Sequence, residues 1–389
     1  MKKILLGVLA VAGLVSCSND EVMELNRSND EIKFNAVVNN ASRAQNVFCN
    51  NNMPGKFVVT AKYDSKIYFN AQEYGKIDGI WKNLEAVNYW PNEGAVSFYA
   101  HVNATGVFDW ENNQLKDFVV VDNVANQQDF LYAVKTSSKN DAPVGLNFRH
   151  ALSQVVFSAK NTNPNLYVEI EGVKLCNLGN KNTFTFPTAD TDNNIVDHTG
   201  STHVITYNES WGTWNTLNGG SNNFGVTFTP VSVNGNNTVV SLTSASDAGK
   251  EFSSNAMLLL PQTTTAWDIT TVGDPDNGQT GSYFLLNCKI YNVAGEDFNS
   301  ATDVCLWGTD AGDCKELAIP VSFKFEQGKK YIYTFVFGTG NGGYDPEPTD
   351  PTKPSPVFVP ITFNVTVDDF IEVLDQDVET GLPSIKNLL

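Results

Sequence analysis

Between Val357 and Val367 every odd position is apolar. Val357, Val359, Ile361, Phe363, Val365 and Val367 alternate with Phe358, Pro360, Thr362, Asn364 and Thr366. A period of two is that of a strand burying one face in a sheet and showing the other to water. Shorter runs repeat it along the chain. "FVVTAKY" puts Phe57, Val59, Ala61 and Tyr63 on one face, and "VSFYAHV" does the same with Val96, Phe98, Ala100 and Val102. "YFLLNCKI" aligns Phe284, Leu286, Cys288 and Ile290. "PVSFKFEQGKKYIYTFVF" reads as a hairpin turning at Gln327-Gly328, with Val321, Phe323 and Phe325 before the turn and Tyr331, Tyr333 and Phe335 after it. Asn, Gly, Asp and Pro punctuate these runs. Beyond the extreme N-terminus no segment holds a 3.6-residue period over three turns. The expected fold class is all-β, built as sandwiches or barrels.

The N-terminus is different in kind. Lys2 and Lys3 precede an apolar run, Ile4 to Val15, that ends in Leu14-Val15-Ser16-Cys17. Twelve apolar residues are too few to span a bilayer as a helix, so residues 1–16 read as a signal peptide. The closing tetrapeptide resembles a bacterial lipobox, which makes Cys17 the expected lipidation site and first mature residue. Acyl chains would anchor the protein to the outer membrane without crossing it. Residues 17–30, with Asp20 and Glu21, form an acidic tether similar to surface-export tags of lipoproteins from gut and oral anaerobic Gram-negative bacteria.

The rest of the 389 residues is long enough for two or three domains. A polar connection in "NDAPVGLNFRHALSQVVFSAK" suggests a first domain over 31–145 and a second over 146–337. "GTGNGGYDPEPTDPTKPSP" makes 338–356 a linker, flexible where glycine-rich and extended where proline-rich. The terminal strand and tail occupy 357–389.

One stretch poses a puzzle. "EIKFNAVVNNASRAQ" begins as a strand, with Ile32, Phe34, Ala36 and Val38 facing one way, and dissolves into a polar segment carrying Arg43. Arginine is rare here, occurring only at 27, 43 and 149.

Taken in order, the lipobox, "IKFNA…SRA", "YWP…VSFYAHV", "QDFLYA", "FRHALSQVVF", "CNLGNKNTFTFP", "LLLPQ", "GKKYIYTF" and "ITFNVTVDDF" resemble the fimbrillin family. The resemblance implies two transthyretin-like, Greek-key β-sandwich domains and a structural, adhesive role in a cell-surface fimbria, or pilus. It implies as partners other fimbrial subunits, an arginine-specific protease cutting between Arg43 and Ala44, outer-membrane lipid at the acylated cysteine, and a host protein or glycan. Trimming would displace the strand bearing Ile32, Phe34, Ala36 and Val38. A donor strand from a neighbouring subunit, bearing Val357, Val359, Ile361, Phe363, Val365 and Val367, would replace it. Two points stay open: whether 357–367 is donated or completes its own domain, and whether Arg43 or Arg27 is cut.

Chemistry is scarce. A formal charge of −18 with no basic stripe excludes nucleic acid as a partner. There is no HExxH, GxSxG or Walker A pattern, so no catalytic residue and no cofactor is assigned, and the chain is read as a non-enzyme. His150 reads as a structural histidine at a strand edge. Asp190, Asp192, Asp197 and His198 hint at calcium, but Ile195 stands where an EF-hand loop needs glycine; no metal site is assigned. Cys305 and Cys314 could bridge a hairpin or be small buried residues. Trp211 and Trp214, in an Asn/Gly-rich region, carry the alternative reading of a surface lipoprotein that binds glycans or host ligands without polymerising.

Overall fold

The computed structural model describes residues 30–38, 55–139, 142–191, 196–197, 204–205, 209–243, 256–268, 281–295, 297–309, 311–346 and 355–369. Cys17, Arg27, Arg43, Ala44, Asp192 and His198 lie outside them. The described elements are strands, apart from one 3-10 turn at Val124–Asn126. The protein is all-β.

The predicted faces are the buried ones. Phe57, Val59 and Ala61 are buried, as are Val96, Phe98, Ala100 and Val102; Tyr63 packs on the same core from its edge. A seven-stranded sheet carries them, in the order Phe34–Val38, Val144–His150, Leu131–Ser138, Ala95–Val102, Lys56–Tyr63, Lys66–Ile77 and Ile80–Asn83. Its neighbours run antiparallel except the first pair, which is parallel. A parallel pair cannot be joined by a tight turn. More than a hundred residues therefore separate the first strand from the one it pairs with.

The larger core lies between two further sheets. One contains Val240–Ser241, Ser153–Asn161, Lys329–Phe337 and Ile361–Asp369, with Met257–Leu259 alongside. The other runs Asn222–Val233, Leu166–Leu178, Tyr283–Asn292, Lys315–Pro320, Gly343–Asp345 and Ser355–Val357. Phe284 of the second sheet meets Phe157, Phe335 and Phe363 of the first, edge-on, at centroid distances of 6.2, 5.2 and 5.4 Å. Such contacts are the mark of two sheets packed face to face. Phe284, Leu286, Cys288 and Ile290 are all buried there. A small sheet of Val107–Asp109, Gln114–Val119, Lys181–Thr185 and Thr213–Trp214 draws strands from both sides of residue 145. Through it Leu115, Phe118, Phe130 and Tyr132 join the larger core.

The expected hairpin around Gln327-Gly328 needs correcting. The turn is present: Lys329 N donates to Glu326 O over 3.3 Å, and Gly328 has φ of +67°. Its arms do not pair, however. Lys324–Phe325 pairs with Gln262–Thr263, whereas Lys329–Phe337 runs parallel to Ser153–Asn161. All six predicted apolar residues still face the core. Alternation specifies a face, not a neighbour, and both arms satisfy it from different sheets.

The glycine-rich segment after residue 337 is also more constrained than its composition suggests. Gly340 and Gly342 have φ of +104° and +89°. A Cβ at these positions would fall 2.2 Å from Ile361 O and 1.9 Å from Val357 O. These glycines let two backbones cross at a distance no side chain tolerates. Gly343–Asp345 then pairs antiparallel with Ser355–Val357, which ties the far end of the linker back to the sheet.

His101 is buried on the seven-stranded sheet and stacks on Phe108 at 4.7 Å. Burial lowers its pKa from 6.5 to about 4. The folded state thus favours the neutral ring, and its contribution is complete above pH 6.5 and is lost as pH falls from 6.5 towards 4. The full effect is about 3 kcal/mol at roughly 1.4 kcal/mol per pH unit. Urea unfolding of His101→Phe should lose that slope relative to wild type. An unchanged slope would place the acid sensitivity elsewhere.

Candidate assembly site

Phe34–Val38 is a five-residue strand on the rim of the seven-stranded sheet. Phe34, Asn35, Ala36, Val37 and Val38 register with Val144, Gly145, Leu146, Asn147 and Phe148. Val144 N donates to Lys33 O over 2.7 Å. The residues just before the strand lean on a second rail. Ile32 N donates to Asn88 O and Trp90 N donates to Asp30 O, each over 2.8 Å, and Glu31 bridges Tyr89. Lys139 ion-pairs with Asp30. The segment thus fills a slot between Val144–His150 and Asn88–Trp90.

Its side chains fill an apolar trench. Ile32, Phe34 and Ala36 are buried with 2%, 3% and 9% of their surface exposed, whereas Lys33 and Asn35 face solvent. Phe34 meets Phe57, Tyr74 and Phe98 edge-on, with centroids 6.2, 4.8 and 5.2 Å away. Trp90 closes the far side against Phe98 at 5.7 Å. Burying Ile32 and Phe34 contributes about 3–6 kcal/mol. Without the segment, the Val144–His150 edge and four aromatic rings would face water together, a costly arrangement. "YWP", residues 89–91, supplies part of that second rail. Its spacing from residue 32 carries no signal that it would form the second rail.

The terminal strand, Ile361–Asp369, pairs antiparallel along the whole of Lys329–Phe337, from Phe337↔Ile361 to Lys329↔Asp369. Its apolar face is used unevenly. Val357, Val359 and Ile361 are buried, and Phe363 packs on Phe284 and Tyr333. Val365 and Val367 are 47% and 52% exposed.

The polar candidates are accounted for locally. His150 is buried with Nδ1 2.7 Å from Asp129 Oδ2. Arg149 donates to Thr191 O at 2.8 Å and Ser210 O at 3.0 Å, and its guanidinium lies 4.3 Å from the Trp211 ring centroid. Trp214 donates from Nε1 to Ala151 O and packs, tilted or edge-on, among Phe118, Phe130 and Phe184. Asp190 accepts from Thr136 N and pairs with Lys135. Cys305 and Cys314 are free thiols, one exposed and one half-buried. Glu169, Glu171 and Cys314 bring their donor atoms within 4.8 Å of one another. Lys289 Nζ already sits 2.7 Å from Glu169, and burial pushes the Cys314 thiol up to about 12. A protonated thiol beside a paired carboxylate makes a poor cation site.

With this geometry in view, comparison places the chain. It belongs to the fimbrillin-like family, whose model matches residues 26–350 and so includes the first strand but stops short of the last. Solved structures similar to it include a Bacteroides uniformis protein described as a cell adhesion protein. At 12% identity and a TM-score of 0.43, that likeness covers 87% of this chain and 98% of the other. A Parabacteroides distasonis protein described in the same way aligns at 9% identity and TM-score 0.43, over 87% and 99%. A fimbrial protein of Bacteroides ovatus aligns at 11% identity and TM-score 0.29, over 79% of this chain and 48% of its own. No curated protein matches the sequence.

Phe34→Ala removes the ring at the centre of the trench and should cost about 3–5 kcal/mol. Hydrogen exchange would read the effect locally. The Val144 amide, which donates to Lys33 O, should lose protection before the Ser153–Asn161 strand does. Uniform loss across both would mean the first strand opens only with the whole protein.

Proposed function

We propose that the protein is a non-enzymatic structural subunit of a cell-surface fimbria. In this reading it is exported as a lipoprotein acylated at Cys17, trimmed between Arg43 and Ala44, and assembled by strand exchange. One observation carries it. A single short strand, the first among the described residues, closes an aromatic trench, and Arg43 follows its last residue, Val38, by only five positions. Cutting there would sever the strand from the body it completes while leaving its non-covalent contacts. A donor held at high local concentration by a neighbouring subunit could then take its place. Donation from head to tail does not close on itself, so it builds filaments.

The terminal strand is the proposed donor. In the monomer it lies on Lys329–Phe337, so donation trades one set of ladder bonds for another. Family membership supports the fimbrial role; the lipid anchor, the cut and the exchange rest on the sequence motifs and the strand geometry. The alternative of a monomeric glycan binder drew on Trp211 and Trp214. Their half-buried rings pack on Arg149 and on Phe118, Phe130 and Phe184 and line a surface cleft with Leu217 and Gln327; the family match favours the fimbrial role over this one.

Three variants separate the steps. Cys17→Ala should abolish incorporation of labelled fatty acid and leave the protein off the outer membrane. Arg43→Ala should yield an anchored monomer that keeps its first strand, read by N-terminal sequencing and electron microscopy. Fibres from Arg43→Ala but none from Arg27→Ala would move the cut into the tether. Fibres from both variants would remove the cut from the mechanism.

A further inference from the structure

The cleft beside Trp211 and Trp214 is built from three segments far apart in sequence, 211–218, 261–263 and 324–327. None of them belongs to the first or the last strand. Ladder bonds and two buried glutamines hold these walls in place. Trp214 and Thr213 register with Phe184 and Thr185, and Gln262–Thr263 pairs with Lys324–Phe325. Gln327 donates from Nε2 to Gly212 O, and Thr263 N donates to Leu217 O over 3.0 Å. Gln262 accepts from Gly179 N at 2.8 Å and donates to Gly179 O at 3.1 Å. The space between the walls measures about 520 Å³, within the range of sites that take a drug-sized ligand.

We propose that this cleft binds a neutral carbohydrate chain. The proposal deepens the adhesive side of the fimbrial reading and is independent of strand exchange, since monomer and fibre would carry the cleft alike. The two indoles supply a platform of carbon. Trp211 Nε1 is buried, and Trp214 Nε1 is committed to Ala151 O at 2.7 Å. Both rings are already fixed, one against the Arg149 guanidinium and the other among three phenylalanines, so little side-chain freedom is lost on binding. The apolar C–H face of a pyranose beds on such a surface while its hydroxyls point outward. Around the rings stand Asn215 and Asn218, with Thr213 and Thr216, all exposed. Among the described residues no partner holds these four side chains. An amide presents a donor and an acceptor side by side, which suits a pair of neighbouring hydroxyls.

Charge narrows the class further. Lys324 and Glu326 are the charged residues of the lining, and they offset one another at 3.0 Å. The chain as a whole carries −18. A uronic or sulfated glycan would find no net positive charge in the cleft and repulsion around it. A proline-rich peptide is a poorer fit. Its backbone offers carbonyl acceptors with few donors, and both indole N–H groups here are turned away from the surface.

The test uses the uncut chain and immobilised neutral polysaccharides as probes: an α-glucan, a β-glucan, a mannan, a galactan and a xylan. Polygalacturonate and a synthetic peptide of residues 346–356 serve as contrasts. At least one neutral polysaccharide should bind, with a change in tryptophan fluorescence and no loss at high salt. Tryptophan variants could fail to fold, so the site is probed at its rim. Asn215→Ala/Asn218→Ala should weaken binding about tenfold or more, with Tm unchanged because both side chains are exposed. Binding that survives the double variant would place the ligand elsewhere and overturn the assignment. Binding of polygalacturonate alone, lost in salt, would overturn the neutral class. Capture of the peptide and of no polysaccharide would make the cleft a peptide site, and a panel without any binder would also sink the proposal. Each of these failures leaves the fimbrial role standing, because that role is read from fibres. Polysaccharide binding by a protein that never forms fibres would do the reverse.

Discussion

The N-terminal half of this fold depends on one parallel strand pair. Phe34–Val38 does not pair with the strand that follows it in sequence: it lies on Val144–His150, and its lead-in lies on Asn88–Trp90. Every other strand of that sheet is held by antiparallel pairing to a neighbour of its own region. The first strand is held by ladder bonds, by Phe34 among three rings, and by whatever joins residue 38 to residue 55. Sever that connection and retention rests on non-covalent contacts alone. Loop closure favours a tethered strand over a free one, and the same entropy favours any competitor tethered nearby. A closing element of this kind is replaceable in a way that an internal strand is not.

Much of the fold was legible because alternation is a local signal. The buried faces of Phe57–Ala61, Val96–Val102, Phe284–Ile290 and Val321–Phe335 are those read from the residues. Pairing was not legible, because it is set by distant partners. The arms around Gly328 read as a hairpin and lie on different strands. Gly340 and Gly342 read as flexible, yet they permit a close crossing over Val357 and Ile361. Composition reports what a backbone is free to do; here the freedom is spent on one strained approach. Trp211 and Trp214 stand near Asn and Gly in sequence and are half-buried in the structure. Their neighbours in space are Arg149 and a set of phenylalanines.

At the site the sequence identified the first and last strands but not the trench that the first one fills. Ile32, Phe34 and Ala36 follow from period two alone. Asn88–Trp90 as a second rail does not, since a bridge such as Glu31 to Tyr89 spans nearly sixty residues and leaves no periodic trace. The family match also has an instructive boundary. It ends at 350, so the strand over 361–369 stands on its own pattern and its own pairing.

The uneven use of that last strand bears on how exchange could proceed. Its first half is well held: Val357, Val359 and Ile361 are buried, and the glycine crossing seats their backbone. Its second half shows Val365 and Val367 to water, so little apolar area is lost when that end lifts. Peeling would start there. A foreign trench could engage the freed end before the buried half lets go, so the full set of apolar contacts need never be exposed at once. Ile361 and Phe363 repeat the residue types of Ile32 and Phe34, and it is on this likeness that the proposed exchange rests. Val365, half exposed on its own sheet, has the buried Ala36 as its counterpart in sequence and would gain cover in the proposed exchange. In the proposed exchange the exposed end is the part with cover to gain, and the buried end is the part that holds the strand until the other is engaged.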